Sequence, residues 1–88
     1  MNPLSLRFLT RPGCHLCDEA RPLVVDAVGR VGGTLQEVDI DQDQSLLIQF
    51  DLRIPVLLGP DDQVVAEGII DDRRGLVRIL RRLKRSGG

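Results

Sequence analysis

The chain has 88 residues, of which 42% are hydrophobic and 28% charged, and its formal net charge at pH 7 is −1. This composition predicts one small globular domain spanning residues 1–88 and excludes a disordered chain. There is no apolar run long enough to span a bilayer and no basic-then-apolar leader, so we expect a cytoplasmic protein without a membrane partner. The net charge and the presence of only two aromatic residues argue against nucleic acid as a partner.

The first predicted element is a β-strand over Leu4–Thr10, an apolar run that ends at the turn residues Pro12-Gly13. The stretch Cys14-His15-Leu16-Cys17 follows and contains the only two cysteines of the chain. A Cys-x-x-Cys between a strand and a helix is typical of a dithiol redox site.

The position of Cys14 indicates which thiol would react. If a helix begins at Cys14, its unpaired N–H groups and positive dipole end stabilise a thiolate there. Such sites lower the cysteine pKa from about 8.5 to about 3.5–7.5. We therefore assign Cys14 as the attacking thiol and Cys17, one helical turn later, as the resolving thiol. Arg11 and a protonated His15 would add positive charge, although an exposed side chain is the favoured interpretation of His15, and the intervening pair His15-Leu16 would tune the thiolate.

The two cysteines could instead bind zinc or be inert. A closed zinc site needs four ligands, and His15 is the only histidine, so zinc held within one chain is improbable while a site shared by two chains stays open. Inert buried thiols are disfavoured because the flanking residues Arg11, His15, Asp18 and Glu19 are polar and predict exposure.

A helix is predicted after the cysteines from apolar residues at three- and four-residue steps. Its buried face would consist of Cys17, Ala20, Val24, Ala27, Val28 and Val31. Pro22 would bend it, and Gly29, Gly32 and Gly33 would end it. A second strand is predicted over Leu35–Ile40 from its alternation.

The next segment contains three alternating aspartates and a short helix. Asp39, Asp41 and Asp43 resemble the start of a calcium loop, but Gln44 and Phe50 stand where its glycine and bidentate glutamate belong, so we expect no metal. Asp41 or Asp43 would instead cap a helix whose buried residues are Leu46, Leu47 and Phe50.

The remaining elements are two strands and a helix. Ile54–Leu58 predicts the third strand, residues 59–62 a turn, and Gln63–Glu67 a fourth strand that pairs back as a hairpin. A final amphipathic helix would bury Leu76, Ile79, Leu80 and Leu83, with Asp71 or Asp72 near its start.

The order of elements, the Cys14-x-x-Cys17 pair and Ile54-Pro55 at the third strand together resemble the thioredoxin fold in its glutaredoxin-like form. The site Thr10–Glu19 is similar to that of small bacterial glutaredoxin-like proteins. The resemblance implies an α/β fold of order β-α-β-α-β-β-α with a central four-stranded mixed sheet flanked by helices. It also implies that Pro55 is cis and packs beside the cysteine pair, and that the backbone of Ile54 pairs with a bound peptide or with glutathione.

Some residues depart from the family pattern. Glutaredoxins that use glutathione commonly have an aromatic residue where this chain has Leu16. They also carry a Gly-Gly pair before an acidic helix start, whereas Gly68 is followed here by two isoleucines and then Asp71-Asp72. Gly68, Asp71 and Asp72 are the candidates for the part of that glutathione clamp that is kept.

The function that the resemblance implies is thiol–disulfide exchange on proteins or glutathione. No bound cofactor is implied; glutathione is a candidate co-substrate, and glutathione or a reductase would regenerate the dithiol. We expect a monomer. The alternative is a binding or adaptor module of the same fold without turnover.

A basic run marks the final helix. Seven of the 12 Lys and Arg residues lie at Arg73, Arg74, Arg78, Arg81, Arg82, Lys84 and Arg85. A solvated helix face is the favoured interpretation, and the alternative is docking to an acidic partner, to a nucleic acid or to a membrane surface.

Overall fold

Four β-strands and three α-helices make up residues 3–87, which are the residues described by the computed structural model. In chain order they are β1 (Ser5–Thr10), α1 (His15–Arg30), β2 (Thr34–Asp39), α2 (Gln44–Phe50), β3 (Val56–Leu58), β4 (Val64–Glu67) and α3 (Arg73–Gly87). A short 3₁₀ helix, Ile40–Gln42, joins β2 to α2. The predicted order β-α-β-α-β-β-α is confirmed.

The strands form one mixed sheet in the order β2-β1-β3-β4. β1 runs parallel to β2, with Leu6 opposite Leu35, and antiparallel to β3, with Phe8 opposite Leu57. The pair β3–β4 is antiparallel and forms the predicted hairpin. Since β1 is a central strand, the residues that follow its carboxyl end lie at the middle of one sheet edge.

Buried side chains cover both faces of the sheet. One face packs against α1 and α3 through Leu4, Leu6, Phe8, Ala20, Val24, Ala27, Val28, Val31, Leu57, Leu76, Val77 and Leu80. The other packs against α2 through Leu9, Ile40, Leu46, Phe50, Val56 and Leu58. Side chains alternate across a strand, so Phe8 and Leu9 reach opposite faces. Burial of one such large side chain contributes about 1.5–3 kcal/mol, and the aliphatic residues supply most of this core.

Helix α1 buries the whole face that its sequence predicts, from Cys17 to Val31. Pro22 lies inside the helix, which continues past it to Arg30. The helix ends in a Schellman motif: Gly32 N–H donates to the Gly29 carbonyl (3.1 Å) and Gly33 N–H to the Val28 carbonyl (3.0 Å). Gly29, expected among the residues that end the helix, therefore lies within it.

The prediction for α3 is wrong at one position. Leu76 and Leu80 are buried, but Ile79 is 42% exposed and Val77, at 9%, takes its place. Val77 and Ile79 lie at opposite borders of the apolar stripe, and α3 packs on α1, which covers the Val77 side. None of the helices within residues 3–87 is long and apolar enough to cross a membrane.

The predicted ends of β2 and β3 differ from the observed ones, and one of the two candidate N-cap residues of α2 is confirmed. β2 begins at Thr34 and stops at Asp39, because the Asp39 carboxylate accepts the Asp41 N–H (2.9 Å) and turns the chain into the 3₁₀ helix. Asp43 caps α2 by accepting the Leu46 N–H (3.1 Å). Ile54-Pro55 precedes β3, where the missing proline N–H does not interrupt strand pairing.

The end of α1 provides a test with two matched glycines. Gly32 has a φ of +69°, and an added Cβ would meet the Lys84 ammonium at 3.1 Å, whereas nothing lies within 4 Å of a Cβ at Gly29. Gly32→Ala should lower the free energy of unfolding by about 1 kcal/mol or more, and Gly29→Ala should raise it by about 0.5–1 kcal/mol. Guanidinium unfolding monitored by circular dichroism measures both. Two changes of the same sign would contradict the Schellman assignment.

Candidate redox site

The first turn of α1 holds both cysteines at the carboxyl end of β1. The chain leaves β1 at Thr10 and turns at Gly13, whose φ is +80°. Cys14 N–H donates to the Arg11 carbonyl (3.2 Å), and the Cys14 carbonyl accepts the Asp18 N–H (3.1 Å). Cys14 is thereby the N-cap residue, and the predicted helix start is confirmed.

The two sulfur atoms differ in exposure. Cys14 and Cys17 are joined by a disulfide with their Cα atoms 5.2 Å apart. Cys17 is fully buried, whereas Cys14 is half-buried. Cys14 Sγ also accepts the N–H of Cys17 at 3.2 Å. Cys14 is therefore the sulfur that an incoming group reaches, and it already has a backbone donor.

Arg11 is held by carboxylates beside the cysteine loop. Its Nη2 lies 2.6 Å from Asp41 Oδ1 and its Nη1 lies 2.6 Å from Asp51 Oδ1. The hydrogen bonds to Asp41 and Asp51 raise the pKa of Arg11 above its ordinary value. Two negative charges thus oppose the positive charge that the sequence led us to expect near Cys14.

His15 is the other predicted source of positive charge. Its side chain is 87% exposed, and Nε2 lies 3.0 Å from Glu19 Oε1, one helical turn later. The expectation of an exposed His15 is confirmed. Arg11 and His15 both lie against carboxylates, and the donor that contacts Cys14 Sγ is the backbone N–H of Cys17.

A small cleft lies beside Leu16, the residue that precedes Cys17. Leu16 is 42% exposed and forms one wall of it. The cleft has a volume of about 200 Å³ and is lined by Leu16, Glu19, Ala20, Leu23, Ile69, Ile70 and Asp71. The structure therefore brings together Leu16 and Asp71, two of the predicted binding residues.

Asp72 has a different position from Asp71. Its Oδ1 accepts the N–H of Gly75 (2.9 Å), and its carbonyl accepts the N–H of Leu76 (3.0 Å). These are the contacts of an N-cap residue, so Asp72 satisfies the first turn of α3 rather than facing Leu16.

Ile54, Pro55 and Gly68 meet at the start of β3. The Ile54–Pro55 peptide bond is cis, as the resemblance implied, and Pro55 is buried. The Pro55 carbonyl accepts the N–H of Gly68 (2.8 Å), and the Ile54 N–H donates to the Phe50 carbonyl (3.2 Å). A strand bound at Ile54 would compete with Phe50 for that N–H.

One polar cluster at the site was not predicted. Thr10, only 3% exposed, donates from Oγ1 to Glu37 Oε2 (3.0 Å). Arg21 reaches both oxygens of the same carboxylate at 2.8 Å and Asp18 Oδ1 at 2.9 Å. Hydrogen bonds from Arg21 and then Thr10 lower the pKa of Glu37, with burial acting against them. The cluster ties the first turns of α1 to β1 and β2.

The signal for this cluster in the sequence is weak. Thr10, Arg21 and Glu37 are far apart in the chain, and only the parallel register of β1 with β2 brings them together. Within residues 3–87 there is no group of three or more His, Cys, Asp or Glu side chains placed to hold a metal ion.

Comparison with known proteins gives a family and a fold. Residues 5–80 match the family described as Glutaredoxin-like domain (DUF836). A Dictyostelium discoideum relative, described as Glutaredoxin-like protein YDR286C homolog, is 32% identical over 66 residues. That match covers 70% of this chain but only 61% of the relative, so the chain spans less than two thirds of it.

Solved structures are similar over nearly the whole chain. The X-ray structure of the X. campestris protein XcR50 has a TM-score of 0.65 and 31% identity, and the match covers 92% of this chain and 96% of that one. Thioredoxin 1 of Thermosipho africanus has a TM-score of 0.67 at 11% identity, with coverage of 96% and 99%. The fold is thioredoxin-like.

The unpredicted cluster gives a pH-dependent test. Because the pKa of Glu37 is lowered by folding, its contribution to stability is present above its ordinary pKa and is lost as the pH falls through the lowered value. Glu37→Gln should therefore lower the free energy of unfolding at pH 7, by about 1 kcal/mol or less since the pair is solvent-screened. The difference from the wild type should shrink toward pH 2.

Denaturant unfolding at several pH values measures this difference. Thr10→Val removes one hydrogen bond to Glu37 but keeps the ion pair between Glu37 and Arg21. It should therefore reduce the pH dependence of the free energy of unfolding by less than Glu37→Gln does. A pH-independent difference between Glu37→Gln and the wild type would contradict the role assigned to the carboxylate.

Proposed function

Since this chain belongs to the family of glutaredoxin-like domains, we propose that it is a thiol–disulfide oxidoreductase that acts through Cys14 and Cys17. The observation that supports this most directly is that the N–H of the buried Cys17 donates a hydrogen bond to Sγ of the half-buried Cys14. The substrate class is disulfide-bearing proteins or glutathione disulfide.

The reduced form would carry its charge on Cys14. When the disulfide opens, the Cys17 N–H that contacts Cys14 Sγ at 3.2 Å becomes a donor to a thiolate. Hydrogen bonds to an anion are about twice as strong as neutral ones, and the helix N-terminus adds a favourable dipole. Cys14 thus ionises in preference to Cys17, which lies in the apolar interior where a charge is disfavoured.

The exchange has two balanced steps. The Cys14 thiolate attacks one sulfur of the substrate disulfide, forms a mixed disulfide and releases the other substrate sulfur as a thiolate. Cys17 then loses its proton to solvent or to the released thiolate and attacks Cys14 Sγ, which frees the second substrate sulfur. The substrate gains two electrons, and the protein is left with the Cys14–Cys17 disulfide.

Return to the dithiol needs an external reductant. Two glutathione molecules, or a dithiol of a reductase, would supply the two electrons. No bound cofactor enters the scheme. The cleft between Leu16 and Asp71 offers an apolar wall and two carboxylates, Glu19 and Asp71, which suits a peptide side chain or the glutathione amino group.

A thiol titration tests the assignment of the attacking cysteine. In reduced Cys17→Ser protein, the single remaining thiol should titrate well below about 8.5, within the range of about 3.5–7.5 seen at helix N-termini. Thiolate absorbance in the far ultraviolet measures it. The reduced Cys14→Ser protein is the matched control and should keep an ordinary or raised pKa. Ordinary pKa values in both variants would favour the adaptor module.

Disulfide reduction by the same two variants tests the assignment of Cys14 as the attacking thiol and Cys17 as the resolving thiol. Cys14→Ser should lose essentially all turnover with a peptide disulfide, because the attacking sulfur is gone. Cys17→Ser should still attack but should accumulate a mixed disulfide, detectable by mass spectrometry without reductant. Normal turnover by Cys14→Ser, or no mixed disulfide on Cys17→Ser, would contradict the proposed roles.

A further inference from the structure

The arginines of this chain fall into two groups. Within residues 3–87, six arginines have a carboxylate within 4 Å: Arg7, Arg11, Arg21, Arg30, Arg53 and Arg73. The other five have no such partner among the described residues, and all five are exposed positions of α3: Arg74, Arg78, Arg81, Arg82 and Arg85. Uncompensated positive charge is thus concentrated on one helix.

Most of these arginines line a single groove along α3, at the side where Arg30 of α1 approaches it. The groove has a volume of about 730 Å³ and is lined by Arg30, Asp72, Arg73, Arg74, Val77, Arg78, Arg81 and Arg85. Asp72 is the only carboxylate in that lining, and one of its oxygens already accepts the Gly75 N–H. Asp26 offsets Arg30 and Arg73. The groove therefore carries a net positive charge.

A membrane surface fits this groove poorly. An interfacial helix buries an apolar face in lipid, with its cationic residues at the headgroups. Three apolar residues of α3 are already used in the core, since Leu76 is 4%, Val77 9% and Leu80 0% exposed. Ile79 is 42% exposed, but it does not line the groove and is too small an apolar face to insert into lipid.

A single-stranded nucleic acid fits poorly as well. Its bases stack on aromatic side chains. Phe8 and Phe50, the only aromatic residues of the chain, are 0% and 6% exposed and lie elsewhere in the core. An extended acidic polypeptide needs a positively charged surface several residues long. The groove provides one, because its arginines extend along α3 from Arg73 to Arg85.

A single bound polypeptide is long enough to contact both the groove and Cys14. Asp26, which contacts Arg73 at 3.1 Å, follows Cys14 by twelve residues of sequence. At about 1.5 Å per helical residue the groove begins roughly 18 Å from Cys14. An extended chain covers that distance in about six residues.

We propose that this groove binds an acidic segment of the protein whose disulfide reacts at Cys14, with the segment about six or more residues from the reacting cysteine. This inference rests on the proposed function, because it specifies the substrate of that reaction. The positive charge of the groove would raise the rate at which the substrate protein associates with this chain. It would also stabilise the bound acidic segment at low to physiological ionic strength.

Two peptide pairs test docking and reaction separately. The first pair lacks cysteine and is fluorescently labelled: one peptide carries six glutamates and the other six glutamines, and anisotropy measures their binding to the oxidised protein. The second pair carries an intramolecular disulfide, a six-residue spacer and the same two tails, and its reduction rate is measured with the reduced protein.

Charge reversal at three positions of α3 localises the effect. Arg78→Glu and Arg81→Glu alter the groove, and Arg82→Glu is the matched control because Arg82 does not line it. Each variant changes the formal net charge equally, from −1 to −3. We expect each groove variant to weaken binding of the acidic peptide and to slow its reduction by about five-fold, and Arg82→Glu by less than about two-fold. Reduction of the glutamine-tailed peptide should be unchanged in all three.

Several results would overturn the inference. These are equal binding of acidic and neutral tails, equal effects at Arg78 and Arg82, or tail binding without any gain in reduction rate. Tighter binding of oligo(dT) or of phosphatidylserine vesicles than of the acidic peptide would also overturn it. If neither disulfide peptide is reduced while the acidic tail still binds at the groove, the proposed function fails and the groove stands as an acidic-peptide site without a redox substrate.

Discussion

The residue at which α1 begins fixes the geometry of both cysteines. Because Cys14 is the N-cap, its Sγ accepts the N–H of Cys17. With Cys14 as the N-cap, Cys17 falls one turn into the helix and on its buried face, beside Ala20 and Val24. A helix start one residue earlier or later would rotate that face by about 100° and bring a different residue inward. The apolar packing of α1 therefore decides which sulfur is exposed.

The sheet makes this arrangement rigid. β1 is paired on both sides, so the chain that leaves it toward the cysteines has a fixed direction. Thr10 is buried at that exit, and its contact with Glu37 links β1 to β2 and, through Arg21, to α1. On the other side, Arg11 joins the same loop to Asp41 and Asp51, near the two ends of α2. Side chains from three directions thus hold the loop between strand and helix.

Local patterns were sufficient to predict the order of elements, the start of α1 and nearly all of the core, because periodicity and turn residues act over a few positions. The contacts that could not be predicted join residues distant in sequence. Arg11 finds carboxylates 30 and 40 residues away, and Arg21 finds Glu37 only through the register of β1 with β2. The same holds for Val77 and Ile79: the pattern defines a stripe, and the neighbouring α1 decides which border of it is covered.

Positive charge is arranged differently beside the cysteines and on α3. Near Cys14, Arg11, His15 and Arg21 each face carboxylates, so backbone N–H groups provide the uncompensated positive potential. Such groups are fixed in position and do not titrate. On α3 the five arginines after Arg73 are exposed and lack carboxylate partners within residues 3–87, so their potential extends into solvent, where salt can screen it. The net charge of −1 does not reveal this arrangement, because the 13 Asp and Glu residues lie outside α3, whereas seven of the 12 Lys and Arg residues lie within it.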